Sequence, residues 1–361
     1  MTSRERWLGA LEMRPLDRLP FWPKLDGAYP NYRRAEDAGK TLDEHHRFIG
    51  SDRHVFTETG LKTIHHATSH TSRREGDMRI QTWTTPRREL VGRERFDARS
   101  HSWHPMEFPV KDVEDIRALT QYYRDLEVVV DPAAREDACR HARQYGDDAL
   151  IACGAGTTAF MNWVEHLAGV ENAHFFLMSH EAEVEELFDA MQAHLRASAR
   201  LLAETMVSDV VYFTENTSTT LASPEQYRRY CFPHLKECCA ILHGAGRRVI
   251  LHMCGHLKAL LPDLGQMPVC AFEAFTAPPV GNTTLLDGRA NCPNVCLVGG
   301  TSATLWTKPA HQIIAQIEKD LDALPHHRGV VVTSAGVMPP MCEPETIRKV
   351  CQFVQAYPAR W

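Results

Sequence analysis

Short apolar runs recur along the chain, and in the stretches between them apolar residues return at helical spacing. Eight runs rich in β-branched or aromatic residues predict buried strands at 19–22, 53–57, 149–153, 209–215, 248–254, 269–275, 295–300 and 330–334. They are continuous rather than alternating, as expected of parallel strands covered on both faces. In 181–206, Val184, Leu187, Phe188, Met191, Leu195, Leu202 and Met206 fall on one helical face. In 310–324 the stripe is Ile313, Ile314, Ile317, Leu321 and Leu324, with Pro309 at the start, where a missing N–H costs nothing. Ser223-Pro224-Glu225 reads as a further helix start, with Ser223 as cap and Pro224 in the first position.

Strands alternating with helices predict a parallel α/β fold, and eight of them favour a closed barrel over an open sheet. The expected architecture is a single (β/α)8 TIM barrel formed by residues 1–361. The long interval between the second and third strands holds two runs, 78–84 and 89–96, that read as a hairpin insertion. No Gly/Ser-rich linker or repeat marks a second domain.

Composition narrows the function classes. With 361 residues, 43% of them hydrophobic, the chain can bury a large core. A net charge of −6 without a long basic run argues against nucleic acid, which needs a clustered positive surface. No stretch approaches the ~20 apolar residues that span a bilayer. Residues 1–18 carry charges throughout and lack the apolar segment of a signal peptide, so a cytoplasmic protein is expected. Its eleven cysteines are then thiols. Cys231, Cys238 and Cys239 lie in a helical stretch and read as packing residues, and the Cys292/Cys296 spacing around a Pro-Asn turn is loose for a metal site.

The strongest chemical signal is Leu251-His252-Met253-Cys254-Gly255. Side chains two apart on a strand share a side, so His252 and Cys254 both project into the barrel mouth if the strand ends at Gly255. Imidazole and thiolate are preferred zinc ligands. The same pair also reads as a core histidine beside a buried thiol. Glu215 closes the fourth strand, where a barrel carboxylate is a candidate catalytic acid or base, substrate anchor or metal ligand. Its alternative is a capping or salt-bridged residue. Glu273 is a weaker candidate of the same kind. Gly299-Gly300, after the seventh strand, reads either as an anion-approach site or as a tight turn. His65, His66, His70, His326 and His327 read as surface or loop residues.

The chain resembles the uroporphyrinogen-decarboxylase-like superfamily. The resemblance is carried in order by Thr2-Ser3-Arg4-Glu5-Arg6 with Pro15-Leu16-Asp17-Arg18-Leu19-Pro20, by Thr82-Trp83-Thr84-Thr85-Pro86, and by Phe108-Pro109-Val110-Lys111-Asp112. It continues through Ser223-Pro224-Glu225-Gln226-Tyr227, Phe232-Pro233-His234-Leu235-Lys236, Leu251-His252-Met253-Cys254-Gly255 and Pro344-Glu345-Thr346-Ile347. The decarboxylases of this superfamily carry an Arg-Gln-Ala-Gly-Arg-type motif near the first strand. Here Phe21-Trp22-Pro23-Lys24-Leu25-Asp26 stands in that place, which counts against a porphyrinogen substrate.

The resemblance is better to the methyltransferase branch, which binds zinc through a His-x-Cys pair and a distant third Cys. It implies His252 and Cys254 as metal ligands, with Cys342 or a carboxylate such as Glu215 completing the shell. The family places its third Cys earlier in the turn, near Gly336 or Val337, whereas this chain carries Cys342 several residues later. The implied activity is zinc-dependent methyl transfer between a methylcorrinoid, or similar donor, and a thiol or folate-type acceptor. No Asp-x-His-x-x-Gly corrinoid motif occurs, so the corrinoid is expected free or on a partner protein. The alternatives are a decarboxylase or other lyase acting on a small non-porphyrin acid, and a non-catalytic barrel that binds a corrinoid protein. A homodimer is expected from the family.

Overall fold

A computed structural model describes residues 1–33 and 37–361. Eight parallel strands follow one another around a barrel: β1 (Phe21–Trp22), β2 (Arg53–Thr57), β3 (Ala149–Gly156), β4 (Val210–Thr214), β5 (Arg248–His252), β6 (Ala271–Phe275), β7 (Cys296–Gly300) and β8 (Val330–Thr333). The ladder runs β1-β8-β7-β6-β5-β4-β3-β2. It is interrupted between β1 and β2, where the Asp52 N–H donates to Phe21 O at 2.8 Å and the Phe21 N–H donates to the Asp52 carboxylate at 3.0 Å. The eight strands coincide with the eight apolar runs of the sequence to within a few residues.

Both faces of each strand are apolar because both are covered. Alternate residues such as Val211, Phe213, Val249, Leu251, Phe272 and Leu297 join the helices in the larger core. Their neighbours Leu150, Ala152, Val210, Tyr212, Ile250, Ala271, Val298 and Val331 fill the barrel interior. Helix Ser3–Leu11, held by a capping box between Thr2 and Glu5, adds Trp7, Ala10 and Leu11 to that interior cluster and closes the amino-terminal end of the barrel. The polar residues that interrupt the interior series therefore gather at the opposite, carboxyl end.

The predicted helices form at Glu181–Thr205 and Ala310–Asp322. Pro224–Gln226 opens another under a capping box from Ser223. In the insertion, Met78–Thr84 pairs antiparallel with Glu89–Asp97. Two further strands, Ser69–Glu75 and Ser102–Glu107, flank that pair, and Leu61–His65 pairs with Leu126–Val130. The flanking strand 69–75 is exposed along its whole length and reads Ser-His-Thr-Ser-Arg-Arg-Glu, so it carries no apolar pattern. Among the described residues, no helix is long and apolar enough to cross a membrane.

Candidate active site

Period two along the strands decides which side chains reach the mouth. On β5 the interior series passes Ile250 to His252, and on β6 it passes Ala271 to Glu273. Lys24 stands two residues beyond Trp22 of β1. These three meet. Lys24 Nζ lies 3.0 and 3.2 Å from the two Glu273 carboxylate oxygens and 3.2 Å from His252 Nδ1. His252 Nδ1 is also hydrogen-bonded to Glu273. Burial alone would raise the Glu273 carboxyl, but the charges of Lys24 and His252 outweigh it and bring the group down to about 2. Burial alone would lower His252. The opposing Glu273 charge and a hydrogen bond with Cys254 lift it to about 9.

A bulge in β6 places Glu273. Ala274 takes φ +61°, and pairing with β7 jumps from Glu273↔Val298 to Phe275↔Gly299. The displaced Phe275 carbonyl then presses on β7, where a Cβ at Gly299 would lie 2.3 Å from it. Gly299 is thus required by the close passage of two backbones, a reason different from both the anion approach and the tight turn that the sequence offered.

Cys254 lies just past the end of β5. Its thiol donates to Asn216 Oδ1 at 3.5 Å, and Asn216 Nδ2 donates to Glu165 Oε2 at 3.2 Å. Asn216 itself sits at φ +47°, and its N–H and that of Glu215 both point to His252 O. Glu165 comes from a wide turn in which the Ala168 N–H reaches back five residues to Trp163 O at 2.9 Å. Burial raises the Glu165 carboxyl. A continuous polar line therefore runs Glu165, Asn216, Cys254, His252, Glu273, Lys24.

Two cavities, with no lining residue in common, draw on this line. The inner one, about 290 Å³, is lined by Trp22, Lys24, His54, Phe56, Tyr212 and His252 among others. The outer one, about 430 Å³, is lined by Glu165, Asn216, Ser218, Thr220, Cys254 and His256 among others. His252 faces the first and Cys254 the second.

The remaining expected site residues lie elsewhere. Glu215 is fully buried beneath the mouth, where its carboxylate accepts from Thr157 Oγ1 at 3.2 Å and from the Thr158 N–H at 3.0 Å. Burial pushes it up to about 7, against those hydrogen bonds. It ties the end of β3 to the end of β4 and faces neither cavity. Cys342 is buried under the loop after β8, and burial pushes its thiol up to about 12. Its carbonyl accepts from Tyr29 Oη at 2.9 Å and from Arg33 Nη1 at 3.1 Å. The structure brings together His252 and Cys254 but not Cys342, and among the described residues no three His, Cys, Asp or Glu side chains form a metal-binding group. As a test of fit for zinc, the touching imidazole and thiol are suitable donors and Glu273 holds the imidazole as second-sphere carboxylates do. Among the described residues a third protein donor is not in place.

Lys24, Asn216 and Glu165 are site residues that the sequence reading did not single out. The Trp22-x-Lys24 spacing at the end of a strand is a usable signal for the first. Glu165 sits inside an apolar helical stretch and offers none. Cys231, Cys238, Cys239, Cys292 and Cys296 are all buried packing residues.

A family model described as Uroporphyrinogen decarboxylase (URO-D) matches residues 104–357. Among solved structures, a methyltransferase from Methanosarcina mazei aligns over 98% of this chain and 98% of its own, at 15% identity and a TM-score of 0.63. A chain assigned as a vitamin-B12-independent methionine synthase from Listeria monocytogenes aligns over 63% of this chain and 69% of its own, at 12% identity and a TM-score of 0.40. No sequence among curated proteins matches.

Proposed function

Since the chain belongs to the uroporphyrinogen decarboxylase family, we propose that it is the family's kind of zinc-dependent methyltransferase, passing a methyl group between a methylcorrinoid and a thiol or folate-type acceptor. The observation that carries this reading is the contact of His252 with Cys254 at the barrel mouth, the first lining the inner cavity and the second the outer. Group transfer between two molecules needs two binding spaces with one shared point, and a pair of borderline-to-soft donors at that point suits zinc. The whole-length likeness in fold to a methyltransferase supports the same reading.

In this proposal His252 and Cys254 hold the metal, which would lower the pKa of a substrate thiol and present it as thiolate. Glu273 fixes the His252 ring through Nδ1, and Lys24 neutralises Glu273, so the site keeps no bare buried carboxylate. Asn216 orients Cys254 by accepting from its thiol at Oδ1 and is itself held by donating from Nδ2 to Glu165. The aromatic walls of the inner cavity exclude water from one side of the pair. A corrinoid does not fit either cavity and would cover the mouth from outside, free or on a partner protein.

The test is elemental analysis of the purified protein, coupled to a screen of thiol acceptors against methylcobalamin. One zinc per chain and thiol-dependent loss of the methylcobalamin spectrum are expected. Turnover of a small carboxylic acid by metal-free protein would replace this reading with the lyase alternative.

A further inference from the structure

The inner cavity carries a chemical description of its own. Four rings make one continuous wall: Trp22 and His54 are 4.7 Å apart between centroids, His54 and Tyr212 5.1 Å, His54 and Phe56 5.0 Å, and Phe56 and Tyr212 5.2 Å. Phe56 is 51% exposed although it belongs to a barrel strand, so an apolar face is turned to empty space. Two polar groups in the same wall are unsatisfied. Both ring nitrogens of His54 and the hydroxyl of Tyr212 are buried without a hydrogen-bond partner, in residues only 7% and 2% exposed. Burial holds the His54 imidazole down at about 4, so near neutral pH it offers one donor and one acceptor. Buried polar groups are rarely left without partners, and three such atoms in one cavity wall mark a place where a ligand supplies them.

The charged groups lining the cavity limit what that ligand is. Lys24 and His252 both pair with Glu273, and the Asp26 carboxylate, which also lines the cavity, accepts the Ala28 N–H at 3.0 Å. Among the described residues each cation that lines the cavity has a carboxylate partner, so an anion meets no free cation there. A volume near 290 Å³ lies at the lower end for small-molecule sites.

We propose that the inner cavity binds a small, neutral, planar aromatic molecule bearing a hydroxyl group, its ring against Phe56 and Trp22 and its hydroxyl paired with His54 and Tyr212. That this molecule is one of the two reactants rests on the methyltransferase reading above. The binding itself rests on the wall.

The experiment is a ligand-observed NMR titration of the full-length protein with phenol, cyclohexanol and benzenesulfonate. Phenol is expected to bind with Kd of about 1 mM or tighter, reasonable for so few atoms. Cyclohexanol, of similar size but not planar, should bind about threefold to tenfold more weakly through lost ring contacts. Benzenesulfonate should bind more weakly than phenol. Tyr212→Phe removes one hydroxyl and should weaken phenol by about threefold to tenfold, the value of one neutral hydrogen bond. Phe56→Ala, at an exposed position that the fold tolerates, should weaken it as well. Equal phenol affinity in wild type, Tyr212→Phe and Phe56→Ala would overturn the proposal, as would tighter binding of benzenesulfonate or no phenol binding at about 10 mM. Phenol binding lost in both variants, with no methyl transfer by any protein, would sink the functional reading and leave this site standing. Methyl transfer by a protein that does not bind phenol would do the reverse.

Discussion

Cys254 and Cys342 place the same thiol in two different environments. The first is half-buried between Asn216 and His252, and the second is enclosed in the core with its thiol raised to about 12. A metal ligand must deprotonate, which burial at the second position opposes. Cys254→Ser should therefore remove most of the zinc and nearly all turnover while leaving the thermal transition in place. Cys342→Ser should keep both and cost about 1–2 kcal/mol, because a hydroxyl replaces a buried thiol. Zinc content and melting curves of the two variants separate these outcomes. A second residue-scale consequence concerns His46, whose Nδ1 lies 2.8 Å from Ser51 Oγ and whose pKa burial lowers to about 4. A histidine depressed in the folded state contributes stability above its unfolded value near 6.5, and that contribution is lost as the pH falls towards 4. Between pH 7 and pH 4.5 it should cost on the order of 2 kcal/mol. Urea unfolding at the two pH values should show His46→Gln losing less than wild type by about that amount. At this scale His252 and Cys254 were legible because the strand period aims them together. The remoteness of Cys342 was not, because a loop of Pro339, Pro340 and Met341 has no period from which to read direction.

Among the elements, the barrel strands were legible because each is apolar on both faces, a pattern only a covered parallel strand produces. The outer insertion strands were hidden for the opposite reason. They are edge strands without an apolar period, joined to the central hairpin by backbone pairing. The bulge at Ala274 was also invisible, since alanine gives no sign of a left-handed residue. Its mark in the sequence is the compensating Gly299 on the next strand. Gly299→Ala should force β6 and β7 apart and cost about 1–3 kcal/mol, as overpacking does. Because the same bulge sets Glu273 under His252, the variant should also lose zinc affinity, whereas Gly244→Ala, at a helical position with open space around its Cβ, should leave zinc affinity unchanged and not lower stability. Calorimetry with metal titration on the two variants is the check.

At the scale of the molecule, one carboxylate holds the barrel together where its ladder stops. Asp52 takes Arg18 at 2.7 and 3.0 Å, pairs with buried Arg6 from the helix that closes the barrel floor, and accepts the Phe21 N–H. Asp52→Ala would leave Arg6, 5% exposed, with Asp17 at 2.8 Å as its remaining carboxylate partner and would strip the buried Phe21 N–H of its acceptor, and should destabilise the protein by about 1–3 kcal/mol in denaturant titrations. The interrupted ladder has a consequence for motion. Six of the eight junctions around the barrel share their load among rows of three or more residue pairs, while β1 meets β8 through two, Phe21↔Val332 and Trp22↔Thr333. The junction between β1 and β2 is a clasp, and a clasp has an opening free energy of its own. Amide exchange at Phe21 and Trp22 should accordingly outpace that at Val211 and Leu251 in the native protein. Lys24 follows two residues after that short strand, so each opening of the clasp would carry its ammonium away from Glu273 and His252. The ring would then breathe at the one place where breathing reaches the charge balance of the mouth.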